Sequence, residues 1–191
     1  MKLFFFDTET TWTTPSIDRI IQFWGIFWEF NTNTFEFNEE KRINQFIRID
    51  KKIPEEATAV HWITNEDLKG YWYIEEYLQG FIDLVNWADY VVGHNVYFDG
   101  DMLTAECKLN NVDFYPEKVK RIDTMRASTE LVNGKGGKWP KLIELYKFLF
   151  WKEFENAHNA MADIEATKDC FLELCRKYKF YENWNFKKII L

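Results

Sequence analysis

The sequence lacks the features that mark secreted and membrane proteins. It has only three cysteines and no C-x-x-C pair, so neither a disulfide framework nor a zinc knuckle is expected. The apolar run near the N-terminus, residues 3–6, is too short for a signal peptide. No uncharged apolar stretch approaches the ~18 residues of a membrane span. We therefore expect a protein of the reducing cytoplasm with no membrane partner.

Basic residues are also scarce. The chain carries 24 lysines and arginines against 31 aspartates and glutamates, which gives a formal net charge of -7. Taken alone, this acidity argues against a nucleic-acid partner, because phosphate backbones favour basic surfaces. The argument weakens if some of the carboxylates bind divalent cations. Local basic patches then matter more than the net charge.

The apolar content is sufficient for a substantial core. Hydrophobic residues make up 47% of the 191 residues, and no repeat or linker divides the chain. This is typical of one domain of ordinary size, covering residues 1–191. The glycine-rich segment 133–138 is short enough to be a loop within that domain.

Apolar patterning predicts five strands, at residues 2–7, 17–30, 35–49, 90–93 and 119–123. A turn signal at 31–33 makes the first three strands antiparallel. Helical periodicity predicts helices at 74–85, 98–109 and 160–178, and another that includes 142–149 with Pro140 in its first turn. Strands followed by alternating strands and helices indicate an α/β fold, a mixed sheet with helices on its faces.

Two carboxylates lie at the end of the first predicted strand, in Asp7-Thr8-Glu9. Because a strand has a period of two, both carboxylates point to the same face. Two like charges in a half-buried place repel each other, and a divalent cation between them makes the pair tolerable. The spacing alone is common in proteins, so the pair is not diagnostic by itself.

Two further carboxylates follow at the starts of predicted helices. Asp99 falls in the first turn of a helix that follows a strand, where it is either a site residue or a helix-start residue. Asp101 points about 200° away on the same helix and is interpreted as a surface charge. Asp163 begins a stripe that is otherwise apolar or small, and a carboxylate there is costly unless it is paired or bound to a metal. His158 precedes that helix on a loop.

Together these segments resemble the DEDDh class of 3′→5′ exonucleases, the superfamily of polymerase proofreading subunits, ribonuclease T, oligoribonuclease and the TREX enzymes. The class is defined by four acidic residues and one histidine. They match Asp7, Glu9, Asp99, His158 and Asp163 here. The segments 59–64 (AVHWIT) and 122–124 (IDT) are also similar to the family. The resemblance implies a ribonuclease H-like fold with a mixed five-stranded sheet.

The resemblance also implies two divalent cations, Mg²⁺ or Mn²⁺, and roles for the five residues. Asp7 would bridge both ions, Glu9 and Asp163 would help hold the ion that binds the attacking water, and Asp99 would serve the second ion. His158 would act as the general base. The products would be nucleoside 5′-monophosphates.

Further residues are expected near the nucleic acid: Thr8, Thr10, Trp12, Asn95 and Lys138. Trp12 stands where many members of the family have glycine, and it either stacks on a base or covers an edge of the core. Lys138 belongs to a group of lysines that, with Arg126, either contact phosphates without sequence preference or form a solvated surface. His61 and His94 are interpreted as structural.

The resemblance leaves alternatives open. We favour DNA as the substrate, because the first motif and residues 138–142 look most like bacterial or phage proofreading-type members. An RNA exonuclease of the oligoribonuclease or ribonuclease T type is the main alternative, and a catalytically inactive nucleic-acid-binding module is another. Expected partners are a nucleic acid with a free 3′ end, single-stranded or frayed, and a separate polymerase chain. The oligomeric state is open. The tail, residues 180–191, either packs on the domain or docks on a partner.

Overall fold

The first quarter of the protein forms an antiparallel meander. The computed structural model describes residues 1–154, 160–178 and 180. Its first three strands are β1 (Lys2–Thr10), β2 (Ile20–Asn31) and β3 (Glu36–Phe46). The side chain of Asn31 closes the β2–β3 turn, because its Oδ1 accepts hydrogen bonds from the backbone N–H groups of Asn33 (2.9 Å) and Thr34 (3.2 Å).

The rest of the protein alternates helices with two short parallel strands. The helices are α1 (Glu55–His61), α2 (Leu78–Trp87), α3 (Val96–Leu109), α4 (Thr124–Asn133), α5 (Leu142–Phe150) and α6 (Ala160–Tyr178), with 3₁₀ turns at Ile74–Glu76 and Pro116–Lys118. The strands are β4 (Tyr90–Gly93) and β5 (Arg121–Asp123). The sheet order is β3-β2-β1-β4-β5, and β4 pairs in parallel with both β1 and β5. This confirms the predicted mixed five-stranded sheet with three antiparallel strands.

The central strand β1 is apolar on both faces because helices cover both sides of the sheet. Leu3 and Phe5 pack towards α4, α5 and α6, whereas Phe4 and Phe6 pack towards α2 and α3. Gly25 of β2 makes room for one of these rings, since a Cβ at that position would lie 2.5 Å from the ring of Phe4. The two cores hold β1 rigidly, and its last residues carry the first predicted carboxylates.

Several predicted boundaries shift in the structure. Helix α3 begins at Val96, two residues before its predicted start, and β5 has only three residues. Pro140 lies outside α5, whose N-cap is Lys141, so its predicted place in the first turn was wrong. Helices α1 and α4 were not predicted. The first has seven residues, of which only Ala57 is buried, and therefore leaves little apolar periodicity.

The structure also shows how the long helices, the cysteines and the start of the tail are placed. No helix among the described residues is both long enough and apolar enough to cross a bilayer. The three cysteines are unpaired and buried. Of the tail, only Phe180 is described; it is buried, with its ring centroid 6.2 Å from that of Phe171. The prediction for residues 181–191 lies outside the described residues.

Candidate active site

The site forms where β1 extends past the end of β4. Phe5 of β1 pairs with Val92, so Asp7 and Glu9 lie beyond the carboxyl end of β4. Alternation along β1 continues the Leu3 and Phe5 series to Asp7 and Glu9, which therefore face the side of α6. Both carboxylates share one face, as the spacing predicted.

Asp99 approaches from the opposite side of β1. It lies in the first turn of α3 and is buried. Its Oδ1 accepts two hydrogen bonds from Thr8, one from the backbone N–H at 2.9 Å and one from Oγ1 at 2.7 Å. The side chain of Thr8 is buried, and its hydroxyl orients the carboxylate of Asp99. The contact of Thr8 with nucleic acid stays a prediction.

Asp163 reaches the site from the first turn of α6. It lines a cavity of about 120 Å³ together with Asp7, His94, Leu142 and Thr167. Small and apolar residues on the same face let α6 approach the sheet, and Ala166 is buried there. The structure therefore places Asp7 and Asp163 in one cavity, although they are far apart in sequence.

The carboxylates interact strongly with one another. The pKa of Asp7 lies well above its ordinary value. The largest cause is burial, followed by the charges of Asp99, Glu9 and Asp163. Burial and the charges of Asp163 and Asp99 raise the pKa of Glu9 to about 8. Burial raises the pKa of Asp99 to about 7, although the hydrogen bonds from Thr8 oppose that shift. Three elements, β1, α3 and α6, thus bring four mutually repelling carboxylates into one place.

This set of donors suits hard divalent cations. Mg²⁺ and Mn²⁺ prefer carboxylate oxygens, and the four site residues supply only such oxygens. The residues do not form a ready-made cage: in residues 1–154, 160–178 and 180, no three acidic, histidine or cysteine side chains meet at metal-binding spacing. The pKa shifts show mutual repulsion at longer range. A cation that draws the carboxylates together would relieve this repulsion.

The predicted general base, His158, lies outside the described residues. The other two histidines are structural in their contacts. The Nε2 of His94 lies 2.9 Å from the carbonyl oxygen of Pro140, which can only accept, and its Nδ1 lies 3.1 Å from Oγ1 of Thr124. Burial lowers the pKa of His94 to about 4, so the ring stays neutral. The Nδ1 of His61 accepts from the backbone N–H of Ile63 at 3.0 Å.

A fifth carboxylate, Asp123, supports the site and was given no role from the sequence. It caps α4, and its Oδ1 accepts from the backbone N–H groups of Met125 (3.0 Å) and Arg126 (3.3 Å). The same oxygen accepts from the backbone N–H of Asn95 at 3.0 Å. Its Oδ2 has no hydrogen bond but lies 3.4 Å from Nε of Arg126, within ion-pair range. Only the family-like segment 122–124 signalled this residue.

Asn95 has a left-handed backbone at the start of α3, with φ of 78°. Because Asp123 of β5 accepts a hydrogen bond from the N–H of Asn95, the turn that precedes Asp99 is fixed to β5. Thr10 is buried, and its Oγ1 donates to the backbone oxygen of Trp12 at 2.6 Å, which shapes the loop after β1. Trp12 itself is 45% exposed, so one of its faces is open to a ligand. Lys138 lies on the surface, 2.9 Å from Oε1 of Glu144.

Comparisons with known proteins agree with this geometry. The sequence profile of the RNase T exonuclease family matches residues 4–171. A search of curated proteins found no significant match. Among solved structures, Escherichia coli exonuclease I in complex with a dT13 oligonucleotide has a TM-score of 0.76 at 20% identity, covering 96% of this chain and 43% of that one.

Two further solved structures are similar to the same extent. The zinc-bound complex of E. coli exonuclease I with single-stranded DNA has a TM-score of 0.76 at 21% identity, covering 97% of this chain and 42% of that one. Exonuclease I from Methylocaldum szegediense has a TM-score of 0.75 at 22% identity, with the same coverage. This chain therefore spans less than half of the length of these proteins, and the likeness establishes the shared fold.

The family profile covers most of the chain, including β1, α3 and the start of α6, which carry the four carboxylates. The family resemblance predicted from the sequence is thereby confirmed. This chain belongs to the RNase T family of hydrolytic exonucleases.

Proposed function

We propose that this chain is a 3′→5′ exonuclease that uses two divalent cations, Mg²⁺ or Mn²⁺, to release nucleoside 5′-monophosphates from single-stranded DNA. One observation carries the proposal. The fold holds Asp7, Glu9, Asp99 and Asp163 together although their charges repel. Such an arrangement opposes stability without a cation, and it suits phosphodiester hydrolysis when cations are bound.

Each carboxylate has its own part in the proposed mechanism. The charges of the other three act on Asp7, which would contact both ions. Glu9 and Asp163 would help hold the ion that binds the attacking water. Asp99, bonded to Thr8 through one oxygen, would serve the second ion. When bound, the cations would lower the pKa of the attacking water and stabilise the leaving oxygen.

We assign proton removal to His158, which lies outside the described residues. A histidine with an ordinary pKa takes up and releases protons near neutral pH. His94 does not fit this part, because its two ring nitrogens lie at hydrogen-bonding distance from Thr124 and Pro140 and its low pKa makes it a weak base.

Single-stranded DNA is the favoured substrate because E. coli exonuclease I, similar in fold, is seen with a dT13 oligonucleotide. RNA remains the alternative, since the 2′-hydroxyl can be distinguished only by local contacts. We further propose that residues 1–191 form one exonuclease domain, that the protein works in the cytoplasm, and that a separate polymerase chain is a possible partner.

A digestion time course tests the proposal. Single-stranded and 3′-recessed oligonucleotides of one sequence, as DNA and as RNA, would carry a label at the 5′ end. The reactions would contain Mg²⁺, Mn²⁺ or EDTA, with an Asp163→Ala variant alongside. We expect metal-dependent shortening of the labelled strand from the 3′ end. The shortening should be fastest on single-stranded DNA and should be lost in the variant. A folded wild-type protein that shortens none of the strands with either metal would refute the enzymatic proposal.

A further inference from the structure

An alternating series of cations and aromatic rings lies beside the catalytic carboxylates. The guanidinium carbon of Arg126 is 3.9 Å from the ring centroid of Tyr97 and 5.3 Å from that of Trp139. The guanidinium carbon of Arg121 is 5.2 Å from the ring of Tyr97. The order is Arg121, Tyr97, Arg126, Trp139, and we call these four residues the ladder. Each separation is within the range of a cation–π contact.

Three features of the fold hold the ladder in place. Asp123 fixes Arg126, since it caps α4 and lies 3.4 Å from Nε of the arginine. Arg121 passes over Gly100, where a Cβ would lie 3.2 Å from its Nη2, so the missing side chain leaves room for the guanidinium. The Nη2 of Arg121 also donates to the carbonyl oxygen of Pro116 at 3.3 Å. The ladder is therefore built into β5, α3 and α4.

The ladder adjoins the active-site cavity and is open to solvent. The carbonyl oxygen of Pro140, which follows Trp139, lies 2.9 Å from Nε2 of His94. His94 lines the same cavity as Asp163. Trp139 is 59% exposed, and the side chain of Arg126 is 44% exposed. The indole and the edge of the guanidinium are thus accessible to a ligand that extends out of this cavity.

The segment that carries Trp139 is rich in lysine although the protein as a whole is acidic. The protein carries a net charge of -7, but the segment that contains Trp139 also contains Lys135, Lys138 and Lys141. Only the ion pair of Lys138 with Glu144 is seen among these three lysines within the described residues. A positive surface with an exposed ring fits a polyanion that carries flat, stackable groups.

We propose that the ladder binds the single strand of nucleic acid on the 5′ side of the scissile phosphate. A base stacks on the outer face of Trp139, and a phosphate contacts the edge of Arg126. This inference rests on the proposed function for its orientation, because the scissile phosphate must lie at the four carboxylates. Stacking and phosphate contacts are independent of sequence, so the surface holds the strand during successive cleavages without favouring any base.

The test measures binding separately from cleavage. Binding of a labelled 12-mer, as DNA and as RNA, would be followed by fluorescence anisotropy in EDTA, where no cation supports hydrolysis. We expect Trp139→Ala to weaken binding about tenfold and Trp139→Phe to recover most of the loss. Arg126→Ala should reduce the slope of log affinity against log salt by about one phosphate contact.

Trp72→Ala provides the matched control. Trp72 is also an exposed tryptophan, but it follows β3 at the opposite edge of the sheet, where its carbonyl oxygen accepts from Arg48 at 3.0 Å. Its removal should leave binding within about twofold of wild type. Cleavage would be compared as the ratio of kcat/KM for the 12-mer to kcat/KM for a dinucleotide. We expect this ratio to fall at least about fivefold in Trp139→Ala.

The outcomes separate the two proposals. Wild-type protein that binds the 12-mer through Trp139 but cleaves nothing would overturn the proposed function and support the ladder. Wild-type protein that cleaves, with equal binding and an equal cleavage ratio in Trp139→Ala, would overturn the ladder alone. Wild-type protein that does not bind the 12-mer would also overturn the ladder. Equal losses in the Trp139 and Trp72 variants would mean that the effect is not specific to this surface.

Discussion

Without a cation, the active-site carboxylates should make the folded protein less stable as the pH rises. The pKa of Glu9 is raised from its ordinary value of 4.5 to about 8 by burial and by the charges of Asp163 and Asp99. Between these two values the folded protein binds more protons than the unfolded chain. The free energy of unfolding therefore falls as the pH rises through this interval. The stabilising contribution of the protonated form is complete below about pH 4.5 and is lost by about pH 8.

The size of the effect follows from the shift. One proton bound more tightly by the folded state changes the free energy of unfolding by about 1.4 kcal/mol per pH unit. Over the whole interval, Glu9 alone would change the free energy of unfolding by about 5 kcal/mol on that basis. Because the carboxylates share their mutual repulsion and the site is partly open to water, we expect a smaller change, roughly 2–4 kcal/mol.

Urea unfolding in EDTA measures this change. The free energy of unfolding of the wild-type protein should be lower at pH 7.5 than at pH 5.5. Glu9→Gln should be more stable than wild type at pH 7.5, by roughly 2 kcal/mol, because the neutral glutamine does not have to take up a proton when the chain folds. Asp101→Asn serves as the control. Asp101 is an exposed carboxylate on α3, so its variant should show the wild-type pH dependence.

Added Mn²⁺ should reverse the effect, stabilising the wild-type protein more at pH 7.5 than at pH 5.5, because deprotonated carboxylates bind the cation. Glu9→Gln should gain less. The reasoning fails if the wild-type free energy of unfolding in EDTA is constant or rises between these pH values. It also fails if Glu9→Gln is no more stable than wild type at pH 7.5.

Two further predictions follow from single contacts. Thr8→Val removes the hydroxyl that donates to Asp99 at 2.7 Å, so the pKa of Asp99 should rise further. The kcat at neutral pH should therefore fall about tenfold and recover at higher pH. Thr8→Ser should restore the wild-type pH–rate profile. Gly25→Ala should lower the free energy of unfolding by about 1–3 kcal/mol, because the new Cβ would lie 2.5 Å from the ring of Phe4. Gly80→Ala, in α2 with no atom near its Cβ, should instead raise it by about 0.5–1 kcal/mol in the same denaturation assay.

The antiparallel start of the sheet and the shared face of two carboxylates follow directly from sequence patterns. The period of two in β1 places Asp7 and Glu9 on one face, and the start of a helix after a strand places Asp99 at a sheet edge. The stripe of small residues around Asp163 predicts its approach to the sheet. What patterns alone do not give is the convergence of these residues. It depends on how β4 pairs with β1 and on how α6 packs across them.

The role of Thr8 could not be read from the sequence. Its hydroxyl reaches across to Asp99, ninety-one residues later, and a contact at that separation leaves no local pattern. The same is true of Asp123, whose carboxylate serves α4, β5 and the turn at Asn95 at once. Helix α4 was missed because its stabilisation comes from this cap and from a few buried residues rather than from a continuous apolar face.

The ladder also depends on tertiary structure. Arg121, Arg126 and Trp139 are ordinary residues in the sequence, and Tyr97 belongs to a different helix from Arg126. Only the tertiary structure brings the rings of Tyr97 and Trp139 close to one guanidinium. Sequence analysis expected phosphate contacts from this region through Lys138 and Arg126. The cation–ring arrangement was not anticipated.

The most direct test of the central claim compares two variants of one helix. Asp99→Asn and Asp101→Asn remove the same charge from α3 with nearly the same shape, but Asp99 is buried among the carboxylates and Asp101 is exposed. Single-turnover cleavage of a 5′-labelled single-stranded oligonucleotide would be measured with saturating Mg²⁺. We predict a rate loss of at least about a hundredfold for Asp99→Asn and less than about twofold for Asp101→Asn. Equal rates in the two variants would contradict the assignment of the four carboxylates as a metal-dependent exonuclease site.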